Sequence, residues 1–307
     1  MDLRQIQFFV KLFQEGSMTR AAARLNVVQP ALSMQIRRLE DEFGVRLFER
    51  TSRGVIPTDT GRSFYRMCLE ILADVEKAGR YLREATGRIE GELRVGLMPS
   101  LARNVAPRVI SEYSSLYPGV RLRVLDAYSG NLVDWLASGD IDFAVINRPE
   151  KDVGVSTIPL FNDSLLLISG TDDNRVAPAS VWARQLASMH LILPSERQGM
   201  RRLIDTTLAR FDIRLVPEME MDSLQATMEL VRGSRWATIL PGIAIRQADI
   251  DESIEVRRII APVISREVVV GFHPQHPLTM AGRLFVDKLA EHSRSILEAP
   301  PNSPAPF

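Results

Sequence analysis

One cysteine in 307 residues, Cys68, has no second thiol to pair with, so no intrachain disulfide staples this chain. Nor is there any surplus charge, since 38 Lys and Arg stand against 38 Asp and Glu. No uncharged apolar run approaches the roughly 20 residues that span a bilayer, so no membrane partner is expected. Gln7 and Lys11 interrupt the first apolar residues, which argues against a signal peptide and for the cytoplasm. Catalytic signatures are missing too: there is no G-x-S-x-G elbow, no H-E-x-x-H and no P-loop. The chain is therefore not read as an enzyme, and no cofactor is expected. His273 and His276 have no cysteine or carboxylate cluster around them, while His190 and His292 stand alone, so no metal site is expected.

The charge is unevenly placed. Residues 1–66 carry 11 Lys and Arg against 7 Asp and Glu, whereas residues 92–307 carry 23 against 26. A basic head on a faintly acidic body suits a DNA-binding end joined to a domain that need not touch DNA. Within the head, two helical patterns meet at residues 26–28. Leu32, Ile36, Leu39 and Phe43 recur at helical spacing and are expected to face inward. Gln29, Ser33, Gln35, Arg37 and Arg38 are left outside, a polar and basic face of the kind that enters a major groove. Pro30 suits a first helical turn and Gly44 a stop. The bland alternative is a solvated amphipathic helix pair.

Longer stretches of sequence discriminate between the two. Leu3-Arg-Gln-Ile-Gln-Phe-Phe, Ala21-Ala-Ala-Arg-Leu, Gln29-Pro-Ala-Leu-Ser33, Ile36-Arg-Arg-Leu-Glu40, Gly44-Val-Arg-Leu-Phe-Glu-Arg50 and Pro57-Thr-Asp-Thr-Gly61 stand in one order. In that order the chain resembles the LysR-type transcriptional regulators, densely over residues 1–65 and more loosely to about residue 295. The resemblance implies an α+β multidomain chain: an N-terminal winged helix–turn–helix, a long linker helix, and a two-lobed α/β sensor like the periplasmic binding proteins. Double-stranded DNA with inverted-repeat half-sites, a small-molecule effector, a second copy of the chain (as homodimer and homotetramer) and RNA polymerase are the partners it implies. Its DNA-binding set falls on Ser17, Thr19, Gln29, Pro30, Ser33, Met34, Arg37, Arg38, Arg50 and Arg53, the last at the tip of a turn-forming wing. Val28 stands where family members often have a capping Ser, and Met34 where Arg is frequent, so operator preference does not carry over. Gly233-Ser-Arg-Trp236 likewise departs from a small apolar turn. No second thiol is present for the peroxide switch that some members use.

Domain bounds are expected at 1–57 for the DNA-binding domain and 58–91 for the linker helix and hinge. Residues 92–161 and 266–297 should form one sensor lobe, residues 162–265 the other, and 298–307 a proline-rich disordered tail. The linker carries Phe64, Cys68, Ile71, Val75, Ala78 and Leu82 at alternating spacings of four and three, a two-stranded coiled-coil seam. Packing against the chain's own body is the alternative. Strands are expected at 93–97, 121–125, 143–146, 165–168, 191–193, 218–221, 237–240 and 268–272. Helices are expected between them, including 105–117, 132–137, 201–210 and 224–231, giving parallel sheets whose chain crosses between lobes near 157–161 and 261–266.

Ligands of such sheets sit beyond strand carboxyl ends, at helix N-termini. Ser100 and Leu101 follow the first strand, Ser129 the second, Asn147 and Arg148 the third, and Ser195 a strand of the other lobe. Gln198 and Arg201 or Arg202 open the next helix, and Asp222-Ser223 precedes another. An organic anion, a carboxylate, is the effector class these residues suggest, with Ser100, Leu101, Ser129, Asn147, Ser195, Gln198, Arg202 and Ser223 as contacts. Ordinary helix caps and surface groups remain the alternative for each. A cytoplasmic solute-binding protein of the same two-lobed fold is the competing function.

Overall fold

The computed structural model describes residues 1–51, 54–84, 89–171, 178–246, 249–250 and 253–298. Arg53, Gly87 and the tail 299–307 lie outside the described residues. The chain divides into two units, Met1–Thr86 and Gly87–Phe307.

In the first unit, α1 (Leu3–Glu15) opens with a capping box between Asp2 and Gln5 and stops at Gly16 in the left-handed region. Ser17 caps α2 (Met18–Arg24), its hydroxyl accepting from the Arg20 N–H. Asn26, at φ 53°, turns the chain into α3 (Gln29–Phe43), whose first turn carries Pro30 and no side-chain cap because Val28 has no oxygen to offer. Leu32, Ile36 and Leu39 are buried, but Phe43 is 55% exposed and so lies off the packed stripe. Gln35 is held inside the unit as well, accepting from Gln5 at 3.3 Å. The strands β1 (Phe48–Thr51) and β2 (Gly54–Pro57) form the antiparallel wing. Its approach is fixed by Glu40, whose buried carboxylate accepts from the backbone N–H groups of Leu47 (2.8 Å) and Phe48 (3.2 Å).

The long helix α4 (Asp59–Glu84) begins where the Thr58 hydroxyl accepts from the Gly61 N–H at 3.0 Å. A Cβ on Gly61 would lie 2.2 Å from the Leu47 carbonyl oxygen, which explains the glycine there. The expected coiled-coil seam is corrected at its first positions. Phe64 lies 4.8 Å from Phe9, ring centre to ring centre, and Cys68 is fully buried in the same cluster as Leu12 and Leu32. Ile71 packs partly against that cluster too. These side chains complete the core of their own unit, because α1 offers them an apolar face within reach. Val75 and Ala78 stay exposed, and Leu82 continues the helix.

In the second unit β3 (Gly91–Leu97), α5 (Pro99–Asn104), α6 (Ala106–Leu116), β4 (Val120–Asp126), α7 (Ser129–Ala137) and β5 (Phe143–Asn147) come first. The helix expected over 105–117 is α6, and a short extra helix, α5, precedes it across Val105, each with a proline in its first turn. Then follow β6 (Ser156–Gly170), β7 (Ser180–Trp182), β8 (Leu191–Leu193), α8 (Gly199–Ala209), β9 (Met219–Glu220), α9 (Leu224–Val231), β10 (Ala237–Pro241), β11 (Ile254–Ile260), β12 (Ser265–Phe272) and α10 (Met280–Glu298). Strands run in the order β4-β3-β5-β12-β6-β10-β8-β9, with β11 between β6 and β7.

Two expectations change here. The sheet is mixed, since β12 runs antiparallel to β5 and β6, and β6 antiparallel to β10 and β11. The first crossing is no separate connection at 157–161, for Thr157 and Phe161 still pair with β12 and one continuous strand carries the chain from lobe to lobe. Around β3, β5 and β12 a core forms with Tyr113 of α6 and Phe285 of α10, while Leu165, Leu193, Ile204 and Ile239 anchor the other lobe.

Replacing Glu40 by Ala should leave two buried N–H groups without an acceptor and cost about 2 kcal/mol. Denaturant unfolding of the first unit, followed by circular dichroism, measures it. Glu40→Gln, which keeps an acceptor, should recover most of the loss.

Candidate functional site

Two surfaces carry the chemistry. On the first unit, Gln29, Pro30, Arg37 and Arg38 of α3 are exposed, Met34 is 49% exposed and Ser33 is half-buried. Pro30, Ser33, Met34 and Arg37 share one helical face by their spacing. Thr19 is exposed in the first turn of α2, and Ser17 is the cap of that helix. Arg50 lies on β1, paired in register with Val55. Cys68 takes no part, as burial pushes its thiol up to about 12 and keeps it protonated at neutral pH.

On the second unit the strand ends converge on a residue not singled out from the sequence. Arg266 of β12 is 4% exposed and stands directly across from Asp163 of β6 in the strand register. Its Nε and Nη2 donate to Asp163 Oδ2 at 3.1 and 2.8 Å. Nη2 also reaches Ser100 Oγ at 3.1 Å, and Nη1 donates to Asn147 Oδ1 at 3.2 Å. Ser129 closes the ring: its hydroxyl accepts from the Asn147 N–H (3.2 Å) and lies 3.4 Å from the Met98 sulfur. Ser100, Ser129 and Asn147 are thus brought together, through Arg266 rather than through a helix terminus. Burial pushes the Asp163 carboxyl up and the Arg266 guanidinium down, while their mutual attraction opposes both shifts. The signal was present in the sequence: one Asp and one Arg, each within a segment of mostly apolar strand residues.

In the other lobe Ser195 and Gln198 gather on Asp222. Ser195 donates from its N–H (2.9 Å) and its hydroxyl (3.0 Å), and the Gln198 side chain donates as well. Burial alone would raise Asp222; these donors and the Arg197 charge outweigh it and hold the carboxyl below its usual range. Tyr128, the residue before α7, is raised mainly by burial and secondarily by the Asp222 charge, so the two lobes' strand ends lie within electrostatic reach.

Several expected contacts fall elsewhere. Leu101 is fully buried and its N–H is spent on the Met98 carbonyl, because α5 is only six residues long and turns tightly into the core. Arg202 donates to the Arg197 carbonyl, and Ser223 caps α9 through the Ala226 N–H. Arg201 is 5% exposed and its guanidinium is spent within the lobe, donating to Asp205, Glu220 and the Pro194 carbonyl. That side of α8 borders a hollow of about 810 Å³ that runs along the edge strand β9. A second tie joins the lobes: Arg103 of α5 grips Asp249 with both Nη atoms at 2.6 and 2.7 Å, and Asn104 donates to the Ile243 and Ile245 carbonyls.

A winged helix–turn–helix unit and a two-lobed α/β unit with polar clusters at facing strand ends define a ligand-linked DNA-binding regulator. Residues 3–62 match the bacterial regulatory helix-turn-helix protein, lysR family, and residues 86–294 the LysR substrate binding domain. The chain belongs to the LysR family of transcriptional regulators. It is 31% identical over 249 residues to the nitrogen assimilation regulatory protein nac of Klebsiella aerogenes, covering 80% of each chain. With the hydrogen peroxide-inducible genes activator of Haemophilus influenzae it shares 23% over 298 residues, 97% of this chain and 99% of that one. A full-length OxyR variant from Pseudomonas aeruginosa superposes with a TM-score of 0.73 at 26% identity, covering 94% of this chain and 98% of the other. CbnR, solved in complex with its target DNA, shares the fold at a TM-score of 0.56 and 20% identity, over 95% and 100% of the two chains. These relatives are regulators, and among the described residues no helix is long and apolar enough to cross a membrane.

Removing one partner of a buried ion pair strands the other charge, so Arg266→Ala should cost about 3–5 kcal/mol, visible as a large fall in melting temperature. The double change Asp163→Leu with Arg266→Met should restore much of it. A single variant as stable as the parent would contradict the structural role given to this pair.

Proposed function

We propose that the chain is a cytoplasmic, non-catalytic regulator whose two-lobed unit binds a small organic acid and so shifts how a homo-oligomer sits on paired operator half-sites. The observation that carries the effector class is the pair of polar clusters at the strand ends. Ser100, Ser129 and Asn147 present hydroxyl and amide groups beside a guanidinium, and Ser195 and Gln198 surround Asp222. The guanidinium is already neutralised by Asp163, so the hydroxyl and amide groups would supply the carboxylate's contacts. Asp222 would accept from a hydroxyl or amine on the same ligand. Such a ligand acts by differential affinity for two arrangements of the oligomer, a population shift. A solute-binding protein without DNA recognition is disfavoured by the match of residues 3–62 to the regulatory helix-turn-helix.

Self-association has support in both units. Val75 and Ala78 leave an apolar stripe on α4 uncovered. The hollow beside β9 is lined by five carboxylates, Glu196, Asp205, Asp212, Glu218 and Glu220, against two arginines, while the opposite edge strand β4 carries exposed Arg121 and Arg123. Opposite charge at the two ends of one sheet suits contact between copies. RNA polymerase remains a partner by family resemblance alone.

A thermal-shift screen of small hydroxy, amino and simple carboxylic acids tests the effector class, since a ligand at 100 times its Kd adds about 2.7 kcal/mol of stability. Calorimetry with the best ligand should show Ser100→Ala and Asp222→Asn each binding at least about tenfold more weakly, as loss of a charged hydrogen bond implies. Unchanged affinity in both variants, or a ligand with no acid group, would sink the assignment. For assembly, Val75→Asp should give monomers in sedimentation without loss of helix content, because the site is already 44% exposed in one chain. A fully dimeric variant would move the contact off α4.

A further inference from the structure

The face of α3 that meets DNA is apolar at its start. Val28 is 70% exposed and Met34 49%, although Leu32, Ile36 and Leu39 of the same helix are buried in its core. Met34 lies one turn beyond Pro30 and one turn before Arg37 and Arg38, both exposed. Phosphate contacts by those cations would leave Met34, between them and Pro30, to face base edges. Among the described residues, neither Val28 nor Met34 belongs to a hydrophobic cluster of the unit.

Of the four bases, thymine alone offers the major groove a hydrocarbon, its C5-methyl group. Met has no hydrogen-bond donor and only a weak acceptor, so it cannot replace the water that it would displace from guanine O6 and N7 or from the amino groups of adenine and cytosine. Its unbranched thioether adapts to a small apolar target. We infer that Met34 selects thymine in each half-site by contact with the thymine methyl group. This rests on the DNA-binding role shown for the family and concerns which base this particular helix reads.

The test begins with enrichment of binding sites from a random duplex library by the full-length protein. Each thymine of the enriched half-site is then replaced in turn by deoxyuridine, which removes the methyl group and nothing else. Wild-type affinity is expected to fall about three- to fivefold at one or two positions, the worth of one buried methyl. Met34→Ala should bind the thymine and uracil duplexes alike at a position where the wild type distinguishes them. Met34→Arg should move the enriched base there to guanine. Circular dichroism melting confirms that both variants fold, as expected for a half-exposed site. Insensitivity at every thymine, or the same methyl dependence in Met34→Ala as in wild type, overturns the inference while leaving DNA binding intact. Failure to enrich any sequence overturns the DNA-reading assignment for this chain and the inference with it.

Discussion

Two opposite charges buried side by side, Asp163 on β6 and Arg266 on β12, sit where the sheet passes from one lobe to the other. Burial of either alone would be costly; together they are tolerated because nearly every polar atom finds a partner. The guanidinium reaches Asp163, Ser100 and Asn147, and the carboxylate also accepts from the Ile243 N–H at 3.3 Å and from Gly242. A slip of one residue between β6 and β12 would leave the two charges on opposite faces of the sheet and part them from each other. The pair therefore pins the register of the strands that join the lobes. It also reaches the strand ends where a ligand would sit.

That shared guanidinium gives the second unit its mechanical logic. Ser100 and Asn147 belong to one lobe, whereas Asp163 also accepts from the Gly242–Ala244 turn that follows β10 in the other. Arg103 and Asn104 strap α5 to the same region through Asp249 and the Ile243, Ala244 and Ile245 carbonyls. Packed, hydrogen-bonded elements of this kind favour discrete arrangements over continuous deformation. On the function proposed above, a ligand engaging Ser100 or Asn147 would act on groups already shared between the lobes, and so would link occupancy to arrangement.

The first unit is built differently, with a small aromatic core and few buried charges. Phe9 contacts Phe48 of the wing and Phe64 of α4, with ring centres 5.2 and 4.8 Å apart, so one side chain joins helix, wing and linker. Glu40 is a buried carboxylate there, satisfied by two backbone donors. The lone cysteine is enclosed in this core and held protonated, which separates the chain from any regulator that answers peroxide by pairing two thiols.

Local rules were legible along the sequence because they depend on neighbours a few residues apart. The helix stop at Gly44, the Pro30 start of α3, the buried stripe Leu32, Ile36 and Leu39, and short strands such as 191–193 all follow from spacing and caps. Family membership was legible for a related reason: it rests on several ordered motifs rather than on any one contact. What tertiary structure alone decided is where a periodic stripe spends its burial and where a polar side chain finds its partner. Phe64 and Cys68 fit a coiled-coil repeat, yet α1 offered them a nearer apolar face. Leu101 and Ser223 had the look of ligand contacts until a core and a helix cap claimed them. Arg266 and Asp163 lie 103 residues apart, and only the pairing of β6 with β12 brings their charges together. Hydrogen bonds and ion pairs between distant segments leave no periodic trace, so the centre of the second unit had to be seen in three dimensions.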